Sequence, residues 1–130
     1  MTHWNYQGRP YTKIEDSKHF GFIYEIKNIA TSKKYIGQKS MYAKRGSYFL
    51  ENDWQKYTGS NDNLNAAIKS GDEVIKNILR FCKSKSELNY YETKEILVRD
   101  ALLSDEYYND WVSCKVTRKH LQSLQEKSAE

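Results

Sequence analysis

Apolar and polar positions alternate most clearly between Phe20 and Ile26. Phe22, Tyr24 and Ile26 fall on one face of an extended segment and Ile23, Glu25 and Lys27 on the other, which predicts a strand. Polar Asn28 to Lys33 suits a turn, and Lys34-Tyr35-Ile36-Gly37 the returning strand of a β-hairpin that would set Tyr24 near Tyr35. Residues 1 to about 19 read as an extension in which Gly8-Arg9-Pro10 breaks regular structure. A short helix is expected over Met41 to about Leu50. After turn-forming Tyr57 to Asp62, either Asp62 or Ser60 would cap a helix reaching Lys69, with Leu64, Ala67 and Ile68 as its apolar stripe and Gly71 as its stop. Glu73 to Phe81 reads as a third strand, with Val74, Ile78 and Leu79 buried. Ser84-Lys85-Ser86-Glu87 has the form of a capping box, in which hydroxyl and carboxylate satisfy free backbone amides. The longest helix is therefore expected from about Lys85 to Leu103. A short helix or strand follows around Trp111, and Lys115 to Glu130 reads as a polar helix or tail.

These elements predict one α/β (α+β) domain: a small mixed sheet of about three strands with an N-terminal β-hairpin, flanked by helices. The domain would span residues 20–112, between the extension 1–19 and the polar segment 113–130. Charged residues make up 29% of the chain and hydrophobic ones 38%, the balance of a soluble globular protein. No apolar run approaches the roughly 20 residues that span a bilayer, and the N-terminal segment has no apolar signal-peptide centre. An intracellular protein is the simple expectation. Cys82 and Cys114 lie far apart and form no CxxC pair. His3, His19 and His120 are scattered as well, which argues against zinc.

The net charge of +4 says little by itself; its distribution says more. Between Glu25 and Glu51 lie Lys27, Lys33, Lys34, Lys39, Lys44 and Arg45 with no acid among them. Tyr35, Tyr42 and Tyr48 interleave with them. Such a block suits a polyanion, because cations neutralise phosphates and release counterions. It equally suits a solvated lysine-rich hairpin, and the pattern alone leaves both open.

One position in the long helix is odd. Leu88, Glu92 and Ile96 are spaced four apart and share a face, so Glu92 sits in an apolar stripe where an unpaired carboxylate is costly. Either it reaches water or a lysine at the edge of the stripe, or it is held at the mouth of a pocket as a metal ligand or acid/base.

Gly21-Phe22-Ile23-Tyr24 followed by Tyr35-Ile36-Gly37 resembles the paired signature of the GIY-YIG nuclease family, at the family's typical separation of eleven residues from Tyr24 to Tyr35. Arg45, eight residues beyond Gly37, stands where the family carries its arginine. Glu92 falls where it carries its metal-binding glutamate, and Asn109 resembles the asparagine that often follows that helix. Tyr57-Thr58-Gly59-Ser60 and Leu64 to Ile68 look like segments of phage-type members. The likeness covers roughly residues 20 to 110. It implies metal-dependent cleavage of DNA, with Glu92 holding one Mg²⁺ (or Mn²⁺), Arg45 forking onto phosphate oxygens, and Tyr24 or Tyr35 activating water. A phenol with pKa near 10 needs cations to favour its phenolate, and Lys34 or Lys39 would supply them. Lys33, Lys34, Lys39, Lys44 and Arg45 would bind the nucleic acid. The sequence departs from the pattern at Phe49, where many members carry His or Tyr, and Tyr48 would substitute. One glutamate implies one metal site, so cutting both strands would need a homodimer or sequential nicking. The alternative is a nucleic-acid-binding module that kept the fold and lost turnover.

Overall fold

The computed structural model describes residues 2–112 and Arg118. In chain order the strands are β1 (Trp4–Tyr6), β2 (Arg9–Tyr11), β3 (Gly21–Asn28), β4 (Lys34–Ser40), β5 (Tyr42–Arg45), β6 (Tyr48–Glu51) and β7 (Val74–Cys82). Helix α1 (Asp62–Lys69) lies between β6 and β7, helix α2 (Lys85–Val98) follows β7, and short 3₁₀ turns cover Trp54–Lys56 and Ala101–Leu103. Five strands form one mixed sheet in the order β2-β1-β7-β3-β4, and β5 and β6 form a separate two-stranded ribbon.

β3 lies between β7 and β4 and is buried on both faces. Its alternation is as expected: Phe22, Tyr24 and Ile26 pack with Trp4, Trp54 and Leu64 on the α1 side, while Ile23 joins Ile36, Leu88 and Ile96 on the α2 side. β4 pairs antiparallel with it, setting Tyr24 opposite Gly37 and Ile26 opposite Tyr35. β7 pairs antiparallel on β3's other side. Val74 and Ile78 are buried there as expected, whereas Leu79 is only half-buried.

The sheet is larger than the three strands expected. Residues 4–11, read as irregular around Gly8-Arg9-Pro10, form a hairpin whose first strand runs parallel to β7. Gln7 and Gly8 turn the chain at φ +52° and +79°, and Pro10 is tolerated because β2 is an edge strand. The helix expected over Met41 to Leu50 is instead the β5–β6 ribbon, in register Tyr42 with Glu51 and Arg45 with Tyr48. Gly46 at φ +65° followed by Ser47 makes its two-residue turn, a connection that favours a hairpin over a helix.

Helix ends differ by one residue or a few. Asn61, rather than Asp62 or Ser60, caps α1 by accepting from the Leu64 amide. Ser84 caps α2 through the Glu87 amide as expected, but the Glu87 carboxylate reaches back to the Lys83 amide. α2 ends at Val98, short of Leu103; Asp100 at φ +50° breaks it. No helix or strand forms at Trp111, and the tail expected over Lys115 to Glu130 lies, Arg118 apart, outside the described residues.

Candidate active site

The site is built around the edge strand β4. Alternation puts Tyr35, Gly37 and Lys39 on the α1 face and Ile36 and Gln38 on the α2 face. Tyr24 lies against the first set: its ring centroid is 6.2 Å from Tyr35's and 6.0 Å from Tyr57's. Only a glycine permits this. A Cβ at Gly37 would lie 2.3 Å from the Tyr24 hydroxyl. Gly59, at φ +87°, gives the same cluster a second close wall: a Cβ there would lie 3.3 Å from that hydroxyl. The Tyr35 hydroxyl emerges at the surface and hydrogen-bonds Ser60 Oγ at 3.1 Å.

Glu92 approaches from the opposite face. Leu88 and Ile96 are buried in the α2-side core, which turns the residue between them toward β4. Gln38 holds it there: its Nε2 donates to Glu92 Oε1 at 2.7 Å and to Asn89 Oδ1 at 2.9 Å, while its Oε1 accepts from Lys85 Nζ at 2.7 Å. Burial pushes the Glu92 carboxyl above its usual value, against the Gln38 hydrogen bond and the charge of Lys85. The apolar-stripe glutamate is therefore half-buried and under-neutralised.

Tyr35 and Glu92 meet across the rim of β4 in a cleft of about 500 Å³, whose wall includes Ser60, Asp62, Asn109 and Asp110. The opening lies where the covering of the strand edge stops. Glu106 and Tyr108 bond the Lys34 backbone at 2.9 and 2.7 Å. The Asn109 side chain then takes both edge groups of Ile36, accepting from its N–H at 3.0 Å and donating to its carbonyl at 2.8 Å. Asn109 thus fixes the strand that carries Tyr35, and its amide is committed to backbone.

The basic residues do not converge. Lys39 shares the tyrosine face, its ammonium 4.5 Å from the Tyr57 ring centre. Lys34 points to the other face, over Tyr107, and Lys33 lies over Tyr108. Lys44, Arg45 and Tyr48 are exposed on the β5–β6 ribbon, and none of them lines the cleft. The expected lowering of a tyrosine pKa by lysines is also reversed. Tyr24 is held well above the ordinary phenol value by burial, then by Tyr57 and Tyr35. Tyr35 is raised by burial and by the Glu92 and Asp110 charges, with Ser60's hydrogen bond opposing.

Whether a divalent ion fits can be judged from the donors. Among the described residues no three His, Cys, Asp or Glu side chains cluster as a metal cage. What exists is one partly desolvated carboxylate with one oxygen held by an amide, at the wall of a polar cleft. That suits an oxygen-seeking ion that keeps most of its waters, such as Mg²⁺ or Mn²⁺, and the residues fit on that basis.

Reasoning from sequence missed Gln38, which sets the Glu92 carboxylate, and Tyr57, whose ring packs edge-on against Tyr24. Gln38's place two residues after Ile36 put it on the α2 face and was the available signal. No helix among the described residues is long and apolar enough to cross a membrane.

Comparison with known families bears on this arrangement. No curated protein and no solved structure gave a match. One family model did, described as "Putative endonuclease segE, GIY-YIG domain", and it aligns with residues 4–112. That span includes β1, β2, the two tyrosines on their hairpin, Glu92 and the Asn109 strap, and on it the chain belongs to the GIY-YIG endonuclease domain family.

Proposed function

We propose that the chain is a divalent-metal-dependent endonuclease that hydrolyses phosphodiester bonds in DNA. The observation that carries this reading is the convergence of Tyr35 and Glu92, from opposite faces of the sheet, on one cleft beside β4.

Glu92, aimed by Gln38, would hold a Mg²⁺ or Mn²⁺ ion. Bound there, such an ion polarises the phosphate and lowers the pKa of groups around it. That chemistry answers the raised pKa of Tyr35: an added cation opposes the Glu92 and Asp110 charges. Tyr35, in the cleft and steered by Ser60, takes the proton of the attacking water. Tyr24, buried beneath it, positions rather than reacts. Lys39 faces the same side and would balance charge on the phosphate. Asn109 holds β4 in place.

Arg45 lies away from the cleft, and this favours the second reading, a nucleic-acid-binding module with weak or no turnover. Incubating the full chain with supercoiled plasmid separates the two. Mg²⁺-dependent nicking or linearisation, abolished by EDTA and by Glu92→Gln, is expected of the enzyme. DNA binding without cleavage under Mg²⁺ and Mn²⁺ would overturn the assignment.

A further inference from the structure

The β5–β6 ribbon exposes residues that a folded chain normally hides. Tyr48, Phe49 and Leu50 are 60%, 56% and 50% exposed, on a strand with no buried residue. The ribbon makes no strand pairing with the five-stranded sheet. It is fastened at its base, where the Met41 amide bonds Phe20, the Asn52 amide bonds Met41, and the Asn52 side chain bonds Ser40. Cross-strand register sorts its two faces. Lys44 and Phe49 share one, which leans on Phe20 at 6.2 Å. Ala43, Leu50, Arg45 and Tyr48 share the other, which is exposed apart from Ala43.

An exposed apolar strand edged with charge marks an interaction surface. Its occupant is indicated by what accompanies the apolar residues. The outer half of the ribbon, Lys44 to Leu50, carries Lys44 and Arg45 and no acid, and it is two strands wide, the width that the major groove of a DNA duplex admits. We infer that the β5–β6 ribbon enters the major groove of the substrate duplex, with Lys44 and Arg45 on phosphates or base edges and Tyr48 and Leu50 against the floor. The inference rests on the DNA-endonuclease reading and adds to it: affinity and sequence preference come from a ribbon separate from the catalytic cleft. It also gives Arg45 and Tyr48, absent from the cleft, a place on the substrate.

Fluorescence anisotropy of the full chain on a labelled duplex in EDTA, with cleavage kinetics in Mg²⁺, tests it. Tyr48→Ser/Leu50→Ser should raise Kd and KM at least tenfold while leaving kcat at saturating DNA and the melting temperature nearly unchanged. Lys44→Gln should flatten the dependence of log Kd on log salt by about 0.9. Replacing purines by 7-deazapurines, which lack the N7 acceptor on the major-groove edge, should weaken wild-type binding more than it weakens the double variant. Wild-type cleavage with unchanged Kd in the double variant would overturn the ribbon's role and leave the endonuclease standing. So would a dimer that the double variant turns into a monomer of unchanged DNA affinity, since the occupant would then be a second copy. A wild type that neither binds nor cuts DNA would remove both readings.

Discussion

Two hairpins follow each other in this chain and meet opposite fates. β3–β4 and β5–β6 are both short antiparallel pairs rich in tyrosine and lysine. The first is enclosed: β7 flanks it, α1 and α2 cover its faces, and its aromatic residues are packed with glycines at their closest approach. The second is fastened only at its base, and Tyr48 and Phe49 at its outer half face water. The composition of a hairpin therefore does not decide its role here; its neighbours do. Enclosure holds Tyr35 and Glu92 in register with each other, and exposure leaves the ribbon free to meet a partner.

The largest effect that could break this contrast is at Glu92. Glu92→Gln should lower cleavage by roughly a hundredfold or more, the scale on which general acid–base and metal-site groups act. It should also raise the melting temperature of metal-free protein at neutral pH. The sign follows from the raised carboxyl. A carboxyl raised by folding contributes stability that is full below its unfolded pKa and lost as pH climbs through its folded one. Wild-type stability should thus fall from about pH 4 upward through that raised value, and the glutamine variant should not follow. Adding Mg²⁺ should stabilise the wild type only. A variant that cuts normally would end the assignment.

Tyr35→Phe comes next. If its phenol takes the proton, the rate should fall by about 10²-fold, with binding intact. Tyr24→Phe should cost less in rate, because that hydroxyl is buried against Tyr57, and more in melting temperature. Rates near wild type for both would reduce the pair to packing.

The hairpins can also be compared through their glycines. Gly37→Ala drives a methyl into the Tyr24 hydroxyl and should cost about 1–3 kcal/mol in urea denaturation, as overpacked sites do. Gly46→Ala meets no atom within 4 Å and pays only for its positive φ, about 1 kcal/mol. Equal losses would mean that the enclosed hairpin is looser than described.

The smallest expected effect concerns the converse of the ribbon, a charge in the core. Lys76 on β7 is 1% exposed, donates to the Gln55 carbonyl at 3.1 Å and lies over the Trp4 ring. Burial lowers its pKa to about 8. A lysine lowered by folding contributes stability that is lost as pH falls through that value and is regained toward about 10.5. Lys76→Met should flatten the part of the stability profile that rises between those pH values. An unchanged profile would show that the ammonium reaches water.

How legible the fold was depended on the length of each pattern. β3 alternates over eight residues, and β7 and α2 are long enough for their apolar positions to repeat, so their faces could be read. β1 and β2 have three residues each, too few for a period, and what ties their hairpin to the sheet is the parallel pairing of β1 with β7, some seventy residues on. The ribbon's strands have only four residues each, again too few for a period. Gly46-Ser47 was the available signal, a two-residue hairpin turn. Tyr24, Tyr35 and Glu92 could be singled out as candidates from the resemblance and the helix spacing. Gln38 could not, since an amide in a strand has no pattern of its own until its partner is known. Asn109 was noticed, and the structure gives it a backbone clamp.

That clamp has a consequence for any shortened version of the chain. β4 is the last strand of the sheet, and an uncovered last strand is a template on which another chain can pair. The strap from Glu106 to Asn109 fills that row of donors and acceptors as far as Ile36. Ending the chain before Glu106 would therefore do more than trim a loop. It would leave a sticky margin beside the cleft, and the shortened protein should be lost to association between copies before its chemistry could be measured.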